Sequence, residues 1–133
     1  MYKVLIAGGR LFNDYELLCI KCDEILKDVT DDITIISGKA SGADSLGERY
    51  ARDNGYSIEE YPALWDDLSV EPCKIKYNRY GEPYNCLAGF LRNHVMVDVA
   101  DVVITFWDGR SLGTKDAIDY ATKMNKPLFV INY

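Results

Sequence analysis

The stretch "ITIISGKASGADSLGERYARDNGY", residues 33–56, decides the fold. It opens with a β-branched apolar run of the kind that forms a strand buried on both faces of a parallel sheet. A glycine-rich turn follows, and Ser41–Asp44 resembles a capping box that would begin a helix. Apolar residues then recur at helical spacing until Gly55, a natural helix terminator. The sequence therefore predicts a strand–turn–helix unit.

The same alternation of strand and helix continues along the chain. Further strands are predicted at residues 3–7, 57–61, 102–106 and 128–131, and further helices from Asn13 or Asp14, over 91–99 and over 114–124. Parallel strands need crossover connections, which helices supply. The pattern predicts an α/β fold, a single Rossmann-like three-layer domain over residues 1–133 with a mainly parallel sheet of about five strands.

Residues 62–90 interrupt this rhythm with prolines and aromatic side chains. The stretch is too long for a simple connection and too aromatic for a linker. We therefore expect an ordered insertion or lid at about residues 66–87.

The charge, hydropathy and cysteine content of the chain indicate whether nucleic acid, a membrane or a metal ion is to be expected as a partner. The formal net charge is −6, and the 15 basic residues are scattered, so we do not expect nucleic acid as a partner. No apolar run has the length of a membrane span, and we expect a cytoplasmic protein without a membrane partner. Cys19 and Cys22 have the spacing of a metal half-site, but the pattern favours buried free thiols, and no metal is expected.

Three glycine-bearing turns follow predicted strands, at the edge where ligands of doubly wound sheets bind. Backbone N–H groups approach a ligand freely in such turns, and each turn also carries a cation. We predict a phosphate-bearing ligand there; the alternative is that the turns are only connections with solvated cations. The candidate residues are Gly8, Gly9 and Arg10; Ser37, Gly38, Lys39, Ser41 and Gly42; and Asp108, Gly109, Ser111, Gly113, Thr114 and Lys115. Neither a P-loop nor a GxGxxG motif is present.

Other side chains could face the same crevice. Arg92 and Asn93 open the predicted third helix, where an arginine could clamp a phosphate or simply lie at the surface. Trp107 could stack on a base or cap the core. Asp44 and Asp108 could contact ribose hydroxyls or cap helices.

Several separated motifs together resemble the cpYpsA-related (YspA-like) family of the SLOG superfamily. That superfamily also holds the lonely-guy phosphoribohydrolases and the DNA-processing DprA proteins. The motifs are Gly8 to Tyr15, Ser37 to Tyr56, Ala88 to Asn93 with Met96, Ala100 and Asp101, and Phe106 to Gly109 with Gly113, Thr114 and Lys115.

The resemblance implies a Rossmann-like fold that binds nucleotides or nucleotide-derived molecules. In its enzymatic relatives, it implies cleavage of the base–ribose bond of a nucleoside monophosphate. Arg92 and Gly113-Thr114 match the hydrolase motifs, but Ala117 stands where those enzymes carry a glutamate. Glycosidic cleavage calls for a carboxylate. Asp116, Asp108 and Asp44 are weak substitutes, and no catalytic residue is assigned.

We therefore favour a binding protein, a sensor or sequestering module for a nucleotide-derived small molecule in bacterial or phage conflict. The alternative is a phosphoribohydrolase-like enzyme that cleaves nucleoside monophosphates. No cofactor is expected, and the chain is expected to form a homo-oligomer, a dimer or higher. The single histidine, His94, has no apparent partner for a catalytic pair.

Overall fold

The computed structural model describes residues Met1–Tyr133. The chain forms seven strands and four helices, which alternate except where three strands follow one another between the second and third helices. They are β1 (Tyr2–Gly8), α1 (Tyr15–Leu26), β2 (Ile33–Ser37), α2 (Ala43–Asn54), β3 (Ser57–Glu60), β4 (Ile75–Tyr77), β5 (Pro83–Asn85), α3 (Ala88–Val99), β6 (Val102–Trp107), α4 (Leu112–Lys123) and β7 (Leu128–Asn132).

Five of the strands form one parallel sheet in the order β3-β2-β1-β6-β7. The central strand β1 pairs with β2 on one side and β6 on the other, so Leu5 lies between Ile36 and Val103. The direction of strand order reverses between β1 and β6. A crevice is therefore expected beyond the carboxyl ends of these two strands. The predicted α/β, Rossmann-like class is confirmed.

Side chains of β1 alternate between the two faces of the sheet, as the period of a strand requires. Val4 and Ile6 belong to a core cluster that includes Leu18 of α1 and Tyr50 of α2. Leu5 belongs to the opposite cluster, with α3 and α4 residues such as Met96 and Ala121. Helices thus cover both faces of the sheet and form the three layers.

Helix starts differ from the sequence prediction at two of the turns that border the crevice. The capping box predicted at Ser41–Asp44 is wrong, because Ser41 donates instead to the carbonyl of Arg10 and Gly42 caps α2 without a side-chain bond. Helix α4 begins at Leu112, earlier than predicted, because Ser111 accepts a hydrogen bond from the backbone N–H of Thr114.

Helix α3 also starts earlier than predicted, at Ala88. Arg92 and Asn93 therefore lie inside the helix instead of opening it. The remaining caps follow the prediction: Asp14 caps α1, and Gly55 ends α2 in the left-handed conformation.

Residues 66–87 contain the antiparallel pair β4–β5, which lies outside the main sheet. Asn85 is fully buried and fixes this segment. Its side-chain oxygen accepts from the backbone N–H groups of Lys74 and Leu87, at 3.1 and 3.0 Å. Whether the segment acts as a lid stays a prediction, as does the extent of the domain.

None of the helices combines the length and the apolar character that crossing a membrane requires. The cytoplasmic location stays a prediction.

Replacing Gly42 with alanine should destabilise the fold more than the same change at Gly55. Both glycines have positive φ, 73° and 71°. Gly55 is in the left-handed helical region, where alanine costs about 1–2 kcal/mol, whereas ψ of −124° places Gly42 outside that region, where the backbone strain of alanine is at least as large. At Gly42, a Cβ would also overlap the carbonyl oxygen of Gly9, whereas nothing lies within 4 Å at Gly55. Overpacking adds roughly 1–3 kcal/mol. Urea unfolding measures the free energy of unfolding of both variants. Equal losses of stability would contradict the close packing of the loop after β2 against the loop after β1.

Candidate functional site

A cavity of about 370 Å³ lies at the carboxyl edge of the sheet, where the strand order reverses. We call it the first cavity. Its walls come from the loops after β1 and β6, from α3, from Trp65 and from the C-terminal Tyr133. The lining residues are Gly9, Arg10, Leu11, Trp65, Cys86, Gly89, Phe90, Arg92, Asn93, Asp108, Ser111, Gly113 and Tyr133.

A second cavity, of about 340 Å³, lies beyond β2 and β3. Its walls are Arg10, Trp65 and Arg92, which also line the first cavity, together with Gly38, Lys39, Ala40, Ser41, Pro62 and Ala63. A smaller inner cavity of about 80 Å³ lies deeper, lined by residues that include Asp44, Arg92 and Ala117. Arg92 lines all three cavities and is central to the site.

Arg92 projects from α3 towards the turn after β2, and its Nη1 donates to the carbonyl oxygen of Gly38. Its Nε is buried and has no hydrogen-bond partner, and no carboxylate forms an ion pair with it. Burial lowers the pKa of Arg92, Asp44 opposes this effect, and the nearby Arg10 adds to it. The cavities therefore share a partly desolvated cation without a paired anion.

Asp44 is buried beside Arg92 and lines the inner cavity. Its Oδ2 accepts from the backbone N–H of Ala40 at 3.2 Å. Burial raises the pKa of Asp44 to about 6, although the bond from Ala40 and the charge of Arg92 oppose the shift. A carboxyl group that titrates near neutrality in a cleft is a candidate for proton transfer.

Lys39 and Ser37 belong to a carboxylate network beside the site. The Nζ of Lys39 pairs with Glu48 at 3.1 Å and with Glu60 at 3.2 Å. Ser37 donates to Glu48 at 2.6 Å, and Glu48 is buried. Lys39 still lines the second cavity, but its charge is neutralised by the two glutamates.

The turn between β6 and α4 is stabilised mainly by its own side chains. Asp108 accepts from the backbone N–H groups of Arg110 and Ser111 at 2.8 and 2.9 Å, and these bonds lower the pKa of Asp108. Trp107 donates to the carbonyl of Ser111 at 3.1 Å, so its indole braces the turn. Gly113 lies in the first turn of α4, where backbone N–H groups lack helical partners.

Most of the residues singled out in the sequence are brought together around the three cavities. Those that line a cavity are Gly8, Gly9, Arg10, Gly38, Lys39, Ser41, Asp44, Arg92, Asn93, Asp108, Ser111, Gly113 and Thr114. Those that line none of the three are Ser37, Gly42, Trp107, Gly109, Lys115 and Asp116. Their roles in binding stay predictions.

The sequence shows no apparent partner for His94, and the structure places Asp116 beside it. Its Nε2 lies 3.1 Å from Asp116, and its ring stacks on Tyr120 with centroids 4.0 Å apart. The pair lies between α3 and α4, which the linear sequence does not reveal. Asp116 is thus bound to a histidine outside the cavities.

Two aromatic wall residues, Trp65 and Tyr133, were not among the predicted site residues. The indole of Trp65 lies over Gly89, with its Cη2 3.2 Å from where a Cβ of Gly89 would stand. The hydroxyl of Tyr133 lies against Gly9, and its ring packs on Phe12 with centroids 4.7 Å apart. Both residues follow strands, so the rule that ligands bind beyond carboxyl ends could have found them.

The fold and this cleft define the class: a Rossmann-like α/β protein with a cleft at the switch point of its parallel sheet. A family model described as "YspA, cpYpsA-related SLOG family" matches residues 2–67. The Gene 61 protein of Mycobacterium phage D29 is 31% identical over 139 residues, which covers 100% of this chain and 97% of the phage protein. The chain belongs to this SLOG family.

Solved structures share the fold at lower identity. TM1055, a structural-genomics target, superposes with a TM-score of 0.62 at 20% identity, over 96% of this chain and 72% of TM1055. DprA from Streptococcus pneumoniae superposes with a TM-score of 0.68 at 18% identity, over 98% of this chain and 50% of that DprA. DprA from Helicobacter pylori superposes with a TM-score of 0.65 at 24% identity, over 97% of this chain and 64% of that DprA. The chain thus spans one-half to two-thirds of the DprA chains.

The expectation that nucleic acid is not a partner is wrong. The Helicobacter pylori protein that shares this fold binds single-stranded DNA. The formal net charge of −6 averages over the whole surface, whereas binding depends on the local cations of a cleft, such as Arg10 and Arg92. Family and fold together support a nucleotide-related role.

Asp44 should make the stability of the protein depend on pH. Its pKa rises from 3.8 to about 6 on folding, so the native state retains a proton that the unfolded chain releases in this window. The free energy of unfolding should therefore fall as pH rises from about 4 to about 6, by about 3 kcal/mol relative to Asp44→Asn. Urea unfolding at several pH values measures the difference, and parallel curves would contradict the raised pKa.

Proposed function

We propose that the protein binds a nucleotide or nucleotide-derived ligand at the carboxyl edge of the sheet, as a sensor or sequestering module. The observation that carries the proposal is Arg92, a partly buried cation that lines every cavity of the site without an ion-pair partner. A desolvated charge without a counter-ion is costly, and a bound anion would offset that cost.

A phosphate group fits this environment better than a carboxylate from the protein itself. Guanidinium groups bind phosphate oxygens bidentately, and the first turn of α4 adds backbone N–H donors at Gly113. Arg10 lies close enough to Arg92 to lower its pKa and lines the same cavities. We place the phosphate between these two arginines and the Gly113 turn, and the nucleoside along the wall formed by Trp65.

Arg92→Ala should weaken binding of nucleoside 5′-monophosphates by about 10- to 100-fold, because a charge-assisted hydrogen bond contributes roughly 1.5–3 kcal/mol. Isothermal titration calorimetry measures the change in affinity. Mass spectrometry of small molecules retained through purification shows which base the tested nucleoside monophosphate should carry. Arg110→Ala is the matched control, since Arg110 is exposed and lines none of the cavities. Unchanged affinity in a correctly folded Arg92→Ala would remove the arginine from the site.

A second candidate function is hydrolysis of the base–ribose bond of a nucleoside monophosphate. The observation in its favour is Asp44, a buried carboxyl group with a pKa near 6 that shares the inner cavity with Arg92 and Ala117. Such a group could activate water where Ala117 offers no carboxylate.

If the protein is a hydrolase, free base should accumulate from nucleoside monophosphates, and Asp44→Asn should lower the rate by about 100-fold or more, the scale of general acid–base catalysis. Chromatography of the released base measures turnover. Asp116→Asn serves as a control because Asp116 is bound to His94 outside the cavities. Binding without any release of base would leave only the binding function.

A further inference from the structure

We propose that the site takes a ligand in which two nucleosides are joined through phosphate, with one nucleoside in the first cavity and one in the second cavity. This inference rests on the proposed function and specifies its ligand class. The first and second cavities have similar volumes, about 370 and 340 Å³, each within the range of a small-molecule pocket. They share Arg10, Trp65 and Arg92 and otherwise have different walls.

The shared residues supply what the centre of such a ligand needs. Arg10 and Arg92 are two cations that form no ion pair, and Asp44 is the nearby carboxyl group that affects the pKa of Arg92. Glu48 bonds to Ser37 and Lys39 instead. The boundary between the cavities therefore carries excess positive charge, and a linking phosphate placed there would extend towards both sides.

Trp65 supplies an aromatic surface at the same boundary. Its indole is held on one side by Gly89 and by Tyr84, whose ring lies edge-on with centroids 6.2 Å apart. About a third of Trp65 remains exposed, 36%, and it lines both cavities. Aromatic side chains of this kind stack on bases with little preference for their identity.

A mononucleotide would use the two arginines and one cavity only. The other cavity, with Pro62, Ala63 and Ser41 among its walls, would then contribute no contact. The arrangement thus fits a free dinucleotide or two successive nucleotides of a single strand, which share the same chemistry.

The test compares ligands of equal charge by isothermal titration calorimetry: dinucleoside monophosphates against methyl esters of the corresponding nucleoside 5′-monophosphates. The dinucleoside monophosphates should bind at least about fivefold more tightly, because the second nucleoside adds its contacts with the other cavity to the affinity. Equal affinities would overturn the two-cavity inference and leave the proposed function standing. Failure of all mononucleotides and dinucleotides to bind would overturn both.

Variants of the second cavity supply an independent test. Ala63→Leu should fill part of that cavity and remove the advantage of the dinucleoside ligand, while affinity for the methyl esters stays the same. Ala63→Ser is the matched control, and Ala63→Val, a smaller enlargement at the same position, replaces Ala63→Leu if that variant misfolds. An advantage that survives both enlarging variants would overturn the inference.

Single-stranded oligodeoxynucleotides of increasing length distinguish the two sources of the ligand. Affinity that rises with length beyond two nucleotides identifies a strand, whereas affinity that stays at the dinucleotide value identifies a free dinucleotide. Either result agrees with two joined nucleosides in the site.

Discussion

The backbone of the loop after β1 lies in direct contact with the backbone of the loop after β2, and the site depends on this contact. The N–H of Ala43 donates to the carbonyl of Gly9 at 3.1 Å, and the hydroxyl of Ser41 donates to the carbonyl of Arg10. The absence of a side chain at Gly42 makes this approach possible. Arg10 is thereby held beside the turn that Arg92 reaches from the opposite side of the sheet.

The distribution of carboxylates explains how an acidic chain presents a cationic cleft. Glu48 and Glu60 neutralise Lys39, and Asp108 is directed into its own turn, where it accepts backbone hydrogen bonds. Asp44 is the acidic side chain of the inner cavity, and burial favours its neutral form. The two arginines of the cleft, Arg10 and Arg92, are thus left without an ion-pair partner although the molecule as a whole is acidic.

The sheet was predictable from the sequence because each core strand is a short apolar run followed by a turn signal. Ile33–Ile36 illustrates this, since every residue of β2 is buried. The position of the crevice followed from the same pattern. The side chains within it were harder to predict, because tertiary contacts redirect them: Lys39 turns to Glu48 and Glu60, and His94 meets Asp116 of another helix.

One wall of the cleft is structurally separate from the sheet that positions the arginines. Trp65 and Cys86 flank the segment that carries β4 and β5, which pairs only with itself and is fixed by the buried amide of Asn85. Its sequence can change without shifting the register of the five parallel strands. Substitutions in this segment would therefore reshape one wall of the cleft while the two arginines and the parallel sheet keep their places.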